Sequence, residues 1–182
     1  MTLQRLVMER LSAHVLGFAI VAMAMAFGCR AHTSYIPGTK VVDTQFNRDI
    51  IEAVEKYRLA VEKRDAAALF GMASRQYFED GGTTDGKDDY GYSKLREVLI
   101  GRFQQGTEIR YSVRYMNIHK RCPRIAADDQ SNDGCRAYVD VLIDASYTIR
   151  DAQNRPSRRD KRDQNQLVLQ WENDRWTILS GM

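Results

Sequence analysis

Residues 50–80 read "IIEAVEKYRLAVEKRDAAALFGMASRQYFED". Ile50, Val54, Tyr57 and Val61 recur at spacings of four, three and four, the period of one helical face. Glu52, Glu55, Lys56 and Lys63 fall largely off that face. Asn47, just upstream, carries the side chain of a helix cap, so a helix is expected to start there. Asp65 can cap a second, short helix over "AAALFGMAS" (66–74), in which Leu69, Phe70 and Met72 are apolar. "RQYFED" (75–80) is short and aromatic and runs into "GGTTDGKDD" (81–89), which reads as a strand entering a turn-rich loop.

Downstream, "YSKLREVLIGRF" (92–103) predicts a third helix with Leu95, Val98, Leu99 and Phe103 inward, ended by Gly106. The period then becomes two. Ile109, Tyr111, Val113 and Tyr115 alternate with Arg110, Ser112 and Arg114. Ala137, Val139, Val141, Ile143, Ala145 and Tyr147 alternate with Tyr138, Asp140, Asp144 and Ser146. "NQLVLQWE" (165–172) and "RWTILS" (175–180) complete a predicted four-strand meander, with "NDR" turning between the last two. Helices followed by antiparallel strands is an α+β order. "RPSRRDKRD" (155–163) carries five basic and two acidic side chains. It reads as a solvated hairpin tip, because the acids dilute its charge; the other reading is a contact with anionic headgroups or cell-wall polymer.

Upstream, Arg5 and Arg10 flank Glu9, and Val15–Phe27 then runs without a charge until "AFGC" (26–29). A bilayer span needs about 20 apolar residues, so this run fits the apolar region of a secretory leader better than a transmembrane helix. The segment resembles a bacterial lipoprotein signal with Ala26-Phe27-Gly28-Cys29 as its lipobox. Gly28 matches the small residue required before the cut, whereas Phe27 is bulkier than the pattern. The resemblance implies a leader over 1–28, lipidation of Cys29, a tether over 29–46 and a domain over 47–182. It implies anchorage in the bacterial cell envelope, and Arg30, in place of Asp, permits delivery to the outer membrane facing the periplasm. An ordinary secretory leader with a nearby cut would leave Cys29 free. Without residues 1–28, 154 of the 182 residues remain, enough for one domain with a normal core. Losing Arg5, Arg10 and Glu9 lowers the formal charge from +3 to +2, which is no footprint for nucleic acid.

Export places the remaining cysteines, Cys122 and Cys135, in an oxidising compartment, where a leftover pair is expected to join. They would close the loop "CPRIAADDQSNDGC". A zinc site wants four ligands, and His119 is the only histidine beyond the tether, so no metal is expected there. Within this loop "DQSNDGCRAYVD" (129–140) places Asp129, Ser131, Asp133 and Gly134 as in the start of a calcium loop, with Asp140 at the twelfth position, where that motif has Glu. Calcium loops sit between helices, and these residues are flanked by predicted strands; turn geometry explains the same Asp and Asn residues. No phosphate-binding glycine motif occurs, no nucleophilic triad can be assembled around His119, and no cofactor is expected.

The stretch 50–80, together with "WENDRWTILSG" (171–181), resembles NTF2-like (SnoaL-like) domains over about residues 47–181. That resemblance implies a cone: N-terminal helices packed on a curved, mostly antiparallel sheet, often with a pocket at the open end. It leaves function open. The leading expectation is a domain that binds a small apolar ligand or an envelope protein partner without catalysis. The alternative is an isomerase- or dehydratase-type enzyme similar to ketosteroid isomerases, with Tyr57 at the place of their helical tyrosine and Asp80 near that of their base. Their third polar group would fall near Gln166, where no acid stands. A further reading is a homodimeric structural module pairing through its sheet.

Overall fold

The computed structural model describes residues 33–81, 84–123 and 132–182. Helix α1 spans Gln45–Glu62 and α2 Ala66–Met72. A two-residue strand β1 (Phe78–Glu79) pairs antiparallel with β2 (Tyr90–Gly91), which leads directly into helix α3 (Tyr92–Gln105). Four strands follow: β3 (Gly106–Arg121), β4 (Arg136–Arg150), β5 (Pro156–Glu172) and β6 (Arg175–Ser180). They form an antiparallel meander in the order β3-β4-β5-β6, so each connection is a hairpin. The turn Asn173-Asp174 joins β5 to β6 with φ of 52° and 58°, the left-handed pair that a tight two-residue hairpin requires.

Ile50, Val54 and Tyr57 are buried on α1, as the spacing predicts, and Ala60 joins them. The cap is different from the expected one. Thr44 is the cap, its hydroxyl accepting from the Asn47 N–H at 3.2 Å, while the Asn47 amide donates to the Val42 carbonyl at 2.8 Å. The helix thus starts at Gln45, because a threonine three residues earlier competes for the same first-turn donors. Asp65 caps α2 as expected, accepting from the Ala68 N–H at 2.9 Å. Leu95 and Leu99 bury α3 against the inner face of the sheet, where Val139, Val141, Leu167, Leu169 and Ile178 complete the core.

Two segments fold further than expected. Part of the stretch read as a tether turns back on itself: Tyr35 pairs with Val42 around a turn with Pro37 and Gly38 at its centre, and Val41 is buried in the core. Pro37 presets its own φ, and Gly38 supplies the positive φ of 77° that a type II turn needs at its next position. The stretch 155–163, expected as a hairpin tip, lies mostly within β5; the tip itself is Asp151–Arg155, where the Asp151 carboxylate accepts from the Gln153 and Arg155 N–H groups.

Strand β3 is an edge, and an unpaired edge is a liability. Helix α1 covers it. Glu62 accepts from the Tyr111 N–H at 3.0 Å, Arg58 reaches the Tyr111 carbonyl at 3.4 Å, and Glu55 accepts from the Tyr115 hydroxyl at 2.7 Å. Register irregularities at Thr107/Arg110 and Tyr115/Asn117 bend the same strand, as bulges do. Cys122 and Cys135 are joined in a disulfide one step beyond the last β3–β4 pair, Arg121↔Arg136.

Candidate functional site

Strand alternation decides what faces the helices. On β4 the inward row is Val139, Val141, Ile143, Ala145, Tyr147 and Ile149. Its register partners on β5 are Leu167, Asn165, Asp163, Lys161, Arg159 and Ser157. The β5 row therefore changes character midway, from core aliphatics to polar and charged groups. This polar half is the wall of an open cavity at one end of the sheet.

The cavity has two lobes that share Tyr57, Arg102, Tyr111, Ala145, Lys161 and Met182. The larger, about 680 Å³, is walled by apolar groups from α1, α2, α3 and the sheet, among them Val61, Leu69, Leu99, Phe103 and Ile149. The smaller, about 510 Å³, is polar, with Glu79, Asp80, Asp88, Asp163 and Asn165 on its walls. Both volumes lie in the range of small-molecule sites.

At the junction of the lobes the Tyr57 and Tyr111 hydroxyls meet at 3.2 Å, their rings edge to face with centroids 6.0 Å apart. Burial pushes both phenols above their ordinary pKa, Tyr57 far above it; the positive field of Arg102 acts in the opposite sense and is outweighed. Both are neutral hydroxyls at physiological pH. Two hydroxyls carry two hydrogens, and their mutual bond uses one. Among the described residues no acceptor takes the other, so one O–H remains for a bound molecule.

A tight network closes the polar side. The Glu79 carboxylate accepts from the Tyr77 hydroxyl at 2.7 Å and from the Gly181 N–H at 2.8 Å. The Asn165 amide donates to the Gly181 carbonyl at 2.8 Å. Arg102 donates to the Met182 backbone oxygen at 3.0 Å and to the Tyr90 hydroxyl at 3.1 Å. Tyr77 is held far above its usual pKa, first by burial and then by its bond to Glu79.

Tyr57 and Asp80 both line the smaller lobe, but in different ways. Tyr57 is buried at its wall, whereas Asp80 is exposed at its edge. Around β1 the side chains alternate: Tyr77 is buried, Phe78 is half exposed, Glu79 is partly buried and Asp80 is exposed. Glu79 is thus the interior acid, one residue from the position anticipated. Gln166 points to the outer face, where its amide donates to Asp140 at 2.7 Å. Asp140 belongs to the β4 ladder. Asp129 and Ser131, from the calcium-loop reading, lie outside the described residues, as does Cys29. Among the described residues no group of three or more His, Cys, Asp or Glu side chains is placed to hold a metal ion.

Three groups were missed by the sequence reading although signals for them existed. Tyr111 stands in the alternating run of β3, Glu79 follows Tyr77 by two, and Arg102 follows Leu95 and Leu99 on one helical face.

No protein-family model and no curated protein sequence matches this chain. Solved structures do. A ketosteroid isomerase-like protein from Erwinia carotovora atroseptica superposes with a TM-score of 0.55 at 16% identity, covering 76% of this chain and 95% of its own. A conserved protein from Planctomyces limnophilus gives 0.56 at 12% identity, covering 75% and 92%. An NTF2-like protein of unknown function from Pseudomonas putida gives 0.52 at 10% identity, covering 76% and 87%. At such identities the likeness is one of fold. The fold is NTF2-like: three helices on a four-stranded antiparallel sheet, as the sequence resemblance implied.

Proposed function

We propose that this domain is an envelope-anchored binding module that takes a small, largely apolar ligand into the open end of its cone, without catalysis. The observation that carries this reading is the apolar lobe of about 680 Å³ ending at an unused tyrosine hydroxyl. Apolar walls with a few convergent polar groups favour binding of one oriented molecule. Two features favour binding over proton transfer. The interior acid Glu79 already accepts two hydrogen bonds, one from the nearby Tyr77 hydroxyl and one from the Gly181 N–H that ties β1 to the end of β6. The place of a third polar group, Gln166, belongs to the outer face. The outer face of the sheet also argues against a dimer built there, because it carries the Arg114–Asp144–Arg162 ion network instead of an apolar patch.

Dodecanol is a neutral probe of this reading. It is expected to bind the purified protein in calorimetry. Each single variant, Tyr57→Phe or Tyr111→Phe, leaves one hydroxyl donor and should change affinity little. The double variant removes the donor and should weaken binding about tenfold, the worth of one hydrogen bond in a desolvated site. Absence of dodecanol binding, or a double variant that binds like the parent, rejects the pocket.

The anchor is part of the same proposal and rests on the leader and on Gly28-Cys29. Cys29→Ser is expected to abolish acylation and to move the protein from the membrane fraction to the soluble one. Acylation that persists in the variant overturns it.

A further inference from the structure

We infer that the ligand is a single-chain amphiphile with an anionic head, and that Arg159 at the rim of the apolar lobe is the residue that recognises that head. This rests on the binding reading above and sharpens it. The stretch 155–162 holds five basic side chains. Four of them have acidic partners: Arg155 with Asp151 at 2.8 Å, Arg158 with Glu108 at 4.0 Å, Lys161 with Asp163 at 2.8 Å and Arg162 with Asp144 at 2.5 Å. Arg159 is the fifth. It forms no ion pair among the described residues, and it stands in the inward row, opposite Tyr147, on the wall of the apolar lobe.

The placement separates the charges usefully. The acids of the cavity line the other lobe, with Asp163 four residues along β5 from Arg159, about 13 Å at the usual strand rise. An anion at Arg159 therefore meets a guanidinium with no competing carboxylate. The chain behind the head would lie along Phe103, Leu99 and Leu69; dodecanol, whose one polar atom goes to the tyrosine O–H, would occupy the same lobe with its chain reversed, so its affinity does not depend on Arg159. A guanidinium suits both carboxylate and phosphate, since its fork pairs with two oxygens of either. A fatty acid and a lysophospholipid-type head share this chemistry.

The test compares dodecanoate, dodecyl phosphate and dodecanol by calorimetry, on the purified full-length protein and on Arg159→Gln. Arg159 is exposed, so the substitution leaves the core intact. The parent is expected to bind at least one of the two anions about tenfold more tightly than dodecanol, and the variant to lose that preference while its dodecanol affinity stays the same. Tighter binding of the carboxylate identifies a fatty-acid head, and tighter binding of the phosphate a phospholipid head. Equal binding of all three probes overturns the anionic head and leaves the apolar pocket standing. An anion preference that survives in Arg159→Gln overturns the assignment to Arg159. If none of the three binds, both this inference and the pocket fail together.

Discussion

Gly181→Ala is expected to destabilise the domain by about 3 to 4 kcal/mol. Gly181 has φ of 95°, a backbone conformation that costs an alanine about 1–2 kcal/mol. A methyl group there would also run into the backbone carbonyl of Gln166 on β5. Backbone atoms cannot swing aside as a side chain does, and forced overpacking costs a further 1–3 kcal/mol, roughly. The displacement would reach the cavity, because the Gly181 N–H is held by Glu79 and its carbonyl by Asn165, and the neighbouring Met182 anchors Arg102. Urea unfolding of parent and variant with matched slopes measures the loss. A difference under about 1 kcal/mol would mean that the end of β6 does not dock as described.

The second large effect concerns the Cys122–Cys135 bridge. Removing it with Cys122→Ser is expected to cost about 3 kcal/mol, the chain-entropy value for closing a loop of this length. The fold should survive, because the β3–β4 ladder pairs from Gly106 to Arg121 and the core lies along it. A reductant should lower the parent to the stability of the variant and leave the variant unchanged. Peptide mapping without reduction should recover the two cysteines linked. Ligand affinity should not change, since the bridge sits at the opposite end of the hairpin from the cavity.

The parts of this molecule that could be read in advance are those where one side faces the core and the other faces water. The α1 face of Ile50, Val54 and Tyr57 and the β4 row of Val139, Val141 and Ile143 are such cases, and both are buried as their periods indicate. Strand β5 was legible only in its second half. Between Ser157 and Asp163 both of its faces are polar, because the inner one looks into the open cavity and not into packed side chains, so no hydrophobic period exists to be read. The same reason hid most of the site. Arg102 and Lys161 have the composition of surface residues, and only the register of the strands and the pitch of α3 bring them beside Tyr57 and Tyr111. The ketosteroid isomerase resemblance points to Asp80, which is exposed, whereas the alternation from Tyr77 turns its neighbour Glu79 inward. The segment 34–42 misled for another reason: Pro37 and Gly38 mark a turn equally well in a linker and in a folded edge, and the burial of Val41 depends on partners far away in the chain.

The inward row of β5 has an evolutionary consequence. Leu167 and Leu169 are packed in the core, while Arg159, Lys161 and Asp163, a few steps earlier in the same row, line the cavity. Substitutions in the first half leave the packed interior untouched, so the cavity lining can drift from one lineage to another without a stability threshold being crossed. Insertion of a single residue between the halves is a different kind of change. It would turn one half of the strand over relative to the other, putting Asp160 in place of Arg159 at the mouth or Gln166 in place of Leu167 in the core. Descendants of this chain should therefore vary freely in the side chains of 157–163 and scarcely at all in the length of the strand.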